Sequence, residues 1–132
     1  MTSAGIAAAQ RCVQPRLALF VRYPQLAVGL PYVSLGVFPT PVQRLPELSR
    51  SVNSGGIFVK RDDLSSTLYG GNKIRKLELE LGRALREGVG EVLTFGYAGS
   101  NHATATAVMA HSLGLGSISM LPAPGQRHLR VP

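Results

Sequence analysis

The sequence predicts an α/β fold built on a parallel sheet. Three observations carry that expectation. The stretch from Gly56 to Leu121 alternates strand-like and helix-like pieces, in the order strand, helix, strand, helix, strand. The last four pieces have the lengths of βαβ units with short connections. The chain is 132 residues long and 45% hydrophobic, enough apolar material to bury one core.

The elements follow in order. Residues 1–16 are Ala-rich with Ser, Thr and Arg and no acid, a composition shared by targeting segments and by frayed termini. Between residues 17 and 42, Pro24, Pro31, Pro39 and Pro41 interrupt short apolar pieces, which suits extended chain and turns. Val42 to Val52 reads as a short helix weakened by Pro46. Asn53-Ser54-Gly55-Gly56 is a turn, and Ile57-Phe58-Val59 a short strand ending in the charged run Lys60-Arg61-Asp62-Asp63. Asn72 to Glu87 is the clearest helix. Ile74, Leu77, Leu81 and Leu85 line one face, Asn72 is placed to cap it and Gly88 to stop it. Glu91 to Phe95 is a strand, Tyr97 to Ser100 a tight loop, and Asn101 to Leu113 a second helix stopped by Gly114. Ser117 to Leu121 is the third strand, and an irregular Pro-, Gly- and Arg-containing tail follows. The division expected is therefore an N-terminal segment at 1–39, an α/β portion at 40–121 and a tail at 122–132.

Composition excludes several classes of function. No run of roughly 18 apolar residues exists to span a membrane, and a membrane partner is not expected. Cys12 is the single cysteine, so neither an internal disulfide nor a multi-cysteine zinc site can form. No His, Cys, Asp and Glu cluster has metal-ligand spacing, and His111 reads as surface or packing, so no metal is expected. A reducing, cytoplasmic compartment is the default; residues 1–16 leave mitochondrial import as the weaker option. The net charge of +7 invites a nucleic-acid partner. Its distribution argues against one. Between Glu47 and Glu91 eight basic residues face seven acidic ones, leaving +1, and the other six are scattered arginines in the flanks.

In a parallel α/β sheet, ligands sit at the carboxyl ends of strands beside helix N-termini. Tyr69 to Lys73 and Gly96 to His102 occupy that place, and parallel pairing would set both at one sheet edge. Gly70 and Gly71 let the backbone pass close to a ligand, and Lys73 follows in the first turn of a helix. A helix N-terminus disfavours a nearby cation, and desolvation adds to that, which is what an amine needs for Schiff-base chemistry. The ordinary alternative is a solvated surface lysine. The segment is not a Walker A loop, because its spacing is absent and Ile74 follows the lysine. Gly99-Ser100-Asn101-His102 opens the second helix. It reads either as an anion-binding nest of N–H groups or as an ordinary cap by Ser100 or Asn101.

These residues carry a family resemblance. Thr40-Pro41, Val59-Lys60-Arg61-Asp62-Asp63-Leu64, Gly70-Gly71-Asn72-Lys73-Ile74-Arg75-Lys76-Leu77-Glu78 and Gly99-Ser100-Asn101-His102 follow one another in order and spacing. Phe20-Val21-Arg22-Tyr23-Pro24 precedes them. Together they resemble the fold-type II pyridoxal-phosphate enzymes, and within them the 1-aminocyclopropane-1-carboxylate deaminase and D-cysteine desulfhydrase family. The resemblance covers about two thirds of the chain. It implies a three-layer fold with a parallel sheet, like the β subunit of tryptophan synthase, here truncated. It also implies pyridoxal 5′-phosphate as cofactor.

Carried over by position, Lys73 forms the internal aldimine and moves protons at the substrate carbons. Asn72 helps shape the cofactor site and Asn101 bonds the cofactor's 3′ oxygen. Ser100, with Asn101, His102 and their amides, holds the substrate carboxylate; Lys73 and Ser100 are the expected catalytic pair. The implied reaction is α,β-elimination with deamination of a small amino acid such as D-cysteine, the alternative being ring opening and deamination of 1-aminocyclopropane-1-carboxylate. Gly99 stands where family members commonly have glutamine, which bears on carboxylate binding. Family enzymes continue past this point with a cofactor-phosphate loop, a pyridine-nitrogen partner and an acid/base tyrosine. An N-terminal piece is therefore expected, with a catalytically inactive or partner-binding remnant as the other reading. An unpaired sheet edge would leave room for a homodimer.

Overall fold

A computed structural model describes residues 17–122. In chain order its elements are helices α1 (Ala18–Arg22) and α2 (Leu26–Gly29), strand β1 (Val42–Arg44), helix α3 (Pro46–Ser51) and strand β2 (Phe58–Lys60). A 3-10 turn at Asp62–Leu64 leads to helix α4 (Ile74–Arg86), strand β3 (Glu91–Phe95), helix α5 (Asn101–Ser112) and strand β4 (Gly116–Met120). The targeting-like segment 1–16 and most of the expected tail lie outside the described residues.

The core grows from α4. Ile74, Leu77, Leu81 and Ala84 fall three or four residues apart and are buried on one face. They meet Ala105, Met109 and Ala110 of α5 and the buried Leu115. Leu85, expected on that face, is 40% exposed, because it sits at the edge of the stripe beside the helix end. Both helices stop as their glycines dictate. Gly88 has φ of +69° and Gly114 +76°, and the next amides, Val89 and Leu115, reach back to Ala84 and Ala110.

β3 and β4 pair in parallel, from Glu91 opposite Gly116 to Phe95 opposite Met120. The α/β class and its parallel pairing are thus present. The first strand, however, does not join that sheet. β2 pairs antiparallel with β1 in a sheet of its own, Val42 opposite Lys60 and Arg44 opposite Phe58. Local bonds close this unit: Leu45 N–H donates to the Ile57 carbonyl, and Ile57 N–H to Ser49 Oγ at 2.8 Å. The helix expected over 42–52 is split for the same reason. Pro46 takes the first helical position, and the residue before a proline is pushed toward extended backbone, so Leu45 ends the strand side. In the proline-rich lead-in two short helices, α1 and α2, form where extended chain was expected, and neither buries a residue.

The segment around Tyr32 to Phe38 packs onto α4. Glu78 is 1% exposed, and its Oε1 accepts N–H bonds from Leu35 and Gly36, each 3.1 Å. The Glu78 carbonyl accepts from Val33 N–H. Gly82 lets the segment and the helix touch, since a Cβ there would lie 2.8 Å from the Tyr32 backbone. The Tyr32 hydroxyl is buried with no geometric partner among the described residues. Burial, with the Glu78 charge second, pushes its pKa up to about 12. On the opposite side of the parallel pair, Leu93, Phe95, Ile118 and Met120 are exposed. Among the described residues no helix is long and apolar enough to cross a membrane.

Glu78→Ala leaves two part-buried N–H groups without their acceptor and is expected to cost about 2 kcal/mol in denaturant unfolding, with Glu78→Gln costing less because it keeps an acceptor. Tyr32→Phe removes an unpartnered hydroxyl and is expected to leave neutral-pH stability unchanged. An acid whose folded pKa is raised keeps its proton after the unfolded chain has lost it. Stability is therefore whole below the ordinary value of 10.0 and falls as pH rises toward about 12. Tyr32→Phe should flatten that alkaline decline, read as unfolding midpoints across the range.

Candidate functional site

The lysine loop is held by the turn before it. A Cβ on Gly70 would lie 1.9 Å from the Asp63 carbonyl oxygen, so only glycine allows this approach. Gly71 has φ of +130°. Its N–H donates to the Asp62 carbonyl at 2.7 Å and to Ser65 Oγ at 2.9 Å. The Ser65 hydroxyl, fully buried, donates in turn to the Gly71 carbonyl at 2.9 Å.

Asp62 also organises charge. Its Oδ1 accepts from Thr40 Oγ1 at 2.7 Å and from Arg75 Nη2 at 2.9 Å. Lys60 Nζ donates to the Thr40 carbonyl. The Arg75 guanidinium lies over the Phe38 ring, 4.1 Å from its centre. The Arg75 bond first, and the Thr40 bond second, hold the Asp62 carboxyl below the usual carboxylate range.

Lys73 follows at the cap position of α4, half-buried, its carbonyl accepting from Leu77 N–H. Among the described residues its ammonium has no hydrogen-bond or ion-pair partner. The capping role expected of Asn72 is not found. The helix begins after Lys73, no side chain caps it, and Asn72 is exposed. The reason is the turn from Gly71 to Ile74, which sets Asn72 one residue too early.

The second loop is built by Gly96 and Gly99. A Cβ on Gly96 would meet Ser100 Cβ and Oγ at 2.8 Å, and Gly99 has φ of +83°. Ser100 caps α5, its Oγ accepting from Ala103 N–H at 3.3 Å. Asn101 and His102 are the first two residues of α5, so their N–H groups have no acceptor within the helix. Asn101 is exposed. His102 is half-buried and faces away along β3. It lines a cavity of about 500 Å³ with Lys76, Glu80, Thr94 and Thr106, and its Nδ1 is buried without a partner among the described residues.

One bond joins the two loops: the Tyr69 hydroxyl donates to Asn101 Oδ1 at 2.8 Å. The expected meeting of the loops occurs, but not through neighbouring parallel strands, since β2 lies in the other sheet. It comes from packing of α4 on α5 and from this side-chain bridge. Lys73, Ser100 and Asn101 stand on the joined loops. His102 is on the same helix start but lines the cavity beside β3.

An unpartnered amine on a fixed loop that one hydrogen bond ties to the start of α5 suits a carbonyl ligand that also carries an anionic oxygen. Residues 33–127 match the family described as pyridoxal-phosphate dependent enzyme. The chain belongs to that family. It is 48% identical over 104 residues to a Pyrococcus abyssi protein provisionally named 1-aminocyclopropane-1-carboxylate deaminase, covering 79% of this chain and 29% of that one. It is 45% identical over 86 residues to a Klebsiella pneumoniae protein named D-cysteine desulfhydrase, covering 65% of this chain and 26% of that one. A crystal structure titled as that of the ACC deaminase homologue superposes with a TM-score of 0.69 at 44% identity. It covers 77% of this chain and 31% of the other. The chain thus spans between a quarter and a third of the length of these relatives.

Lys60 to Asp63 and Arg75 belong to the motifs that carry the resemblance, and the geometry shows Asp62 and Arg75 bracing the lysine loop. Ser65 carried no signal beyond its place after a charged run. The Tyr69–Asn101 bond spans 32 residues and had none.

Ser65→Ala is expected to cost about 2 kcal/mol, because it strips two bonds from a buried loop. A carboxyl with a lowered folded pKa contributes stability above its ordinary value, 3.8, and loses it as pH falls through the folded value. Acid unfolding of Asp62→Asn should therefore lack that part of the slope, read by circular dichroism against pH.

Proposed function

We propose that this chain forms the N-terminal part of a pyridoxal-phosphate-dependent lyase that eliminates and deaminates a small amino acid, with D-cysteine as the substrate type. The observation that supports this most is Lys73, an unpartnered amine on a loop fixed at Gly71 and bridged to the Asn101 loop. When bound, the cofactor supplies an electron sink for carbanion chemistry. The residues present fit it. Lys73 provides the amine that holds it covalently. Asn101 would offer amide N–H donors to its phenolic oxygen, and Asn72 flanks the lysine.

Ser100 and the N–H groups of Asn101 and His102 bind the substrate carboxylate at the helix start. The Ser100 oxygen is engaged with Ala103 N–H, which leaves its hydroxyl hydrogen free to donate. Lys73 moves the proton at the substrate α-carbon, and Ser100 holds that carbon in place. Deamination of 1-aminocyclopropane-1-carboxylate is the second reading, favoured by the names of the Pyrococcus relatives and of the solved homologue. Bacterial and archaeal relatives accord with a cytoplasmic location and lend nothing to mitochondrial import.

The test is borohydride reduction of the cofactor-loaded protein followed by peptide mass spectrometry. The cofactor mass is expected on Lys73 alone and is expected to vanish in Lys73→Ala. Sulfide and pyruvate from D-cysteine would then support the desulfhydrase, and 2-oxobutanoate from the cyclopropane amino acid the deaminase. Labelling spread over Lys60 and Lys76, or none, overturns the assignment.

A further inference from the structure

The Tyr69–Asn101 bond does more than tie two loops. A carboxamide has an acceptor end and a donor end, and a hydrogen bond to one end decides which way the other faces. Here the Tyr69 hydroxyl donates to Asn101 Oδ1 at 2.8 Å. Asn101 is exposed, and its amide NH2 makes no hydrogen bond among the described residues. With the oxygen engaged, the free end of the side chain carries only donors.

We propose that Tyr69 is a positioning residue that fixes the Asn101 amide with its NH2 toward the bound ligand, so that the site selects an anionic oxygen at that point. This rests on the reading above in which Asn101 meets the cofactor; the phenolic oxygen of pyridoxal phosphate is the group of that chemistry. Tyr69 touches neither cofactor nor substrate in this assignment. It acts by keeping the amide from turning over. Without the hydroxyl, Asn101 could present its carbonyl instead, which repels an anionic oxygen.

A donor on the phenolic oxygen stabilises the form in which that oxygen's charge is not shared with the neighbouring imine proton. It therefore lowers the pH at which the visible band of the bound cofactor titrates. Removing the donor, or letting it turn, raises that pH.

The experiment compares the cofactor-loaded wild type with Tyr69→Phe, Asn101→Ala and the double variant, following the visible band against pH. His102, next in sequence to Asn101, is unchanged in all four proteins. The apparent pKa is expected to rise in Tyr69→Phe by about half a unit to one unit, the worth of one hydrogen bond. It should rise in Asn101→Ala by at least as much, and the double variant should add nothing to Asn101→Ala. In the cofactor-free chain, the Asn101 side-chain amide resonances should move in Tyr69→Phe.

A shift in Asn101→Ala with none in Tyr69→Phe overturns the role of Tyr69 and leaves Asn101 at the cofactor. A downward shift in Tyr69→Phe means the amide faces the other way and overturns it as well. No shift in either variant overturns both this inference and the placement of Asn101 beneath it.

Discussion

Two oxygens, the Asp62 carbonyl and the Ser65 hydroxyl, share the single N–H of Gly71, and the place of Lys73 follows from that arrangement. Gly71 lies in a backbone region that a residue with a Cβ rarely enters, and Gly70 lies so close to Asp63 that a methyl group would not fit. A loop in such a conformation persists only when its polar groups are satisfied by fixed partners. The partners are fixed in turn. Ser65 is fully buried, and Asp62 is held by Thr40 and by Arg75 from the first turn of α4. The loop is thus clamped from both of its ends.

α4 couples this clamp to the rest of the molecule. Its apolar face makes the core with α5, which brings the Ser100–Asn101 loop alongside. Its one buried carboxylate, Glu78, receives the amides of the lead-in segment, and Gly82 lets that segment lie flat against the helix. A charge so deep in a core requires donors, and two backbone N–H groups supply them. The same helix therefore positions the amine, buries the core and docks the chain N-terminal to the site.

Much of this was legible in the residues. The helical spacing of Ile74, Leu77 and Leu81, the stops at Gly88 and Gly114, and the Ser100 cap each act locally, and local signals survive into the fold. The partner of β2 was not legible, because three-residue strands carry too little pattern to say which sheet they join. Pro46 marks the weak point of the expected 42–52 helix, and the chain before it is extended because a residue preceding proline disfavours helical backbone. In the site, Lys73 and Asn101 stood out by motif. The roles of Asp62, Ser65 and Tyr69 did not, because they are contacts to backbone or side chains that only the folded chain brings near. Asn72 looked like a cap by residue type, and the tight turn at Gly71 removed it from the capping position.

The contacts of Gly70, Gly71 and Ser65 make the lysine loop a rigid part of the core rather than a mobile connection. Amide hydrogen exchange at Gly71 tests it most directly. This N–H is expected to exchange as slowly as the buried amides of α4, through the same global opening. Exchange at the rate of exposed loop amides, such as Gly55, would contradict it and would leave Lys73 without the fixed support on which the proposed chemistry depends.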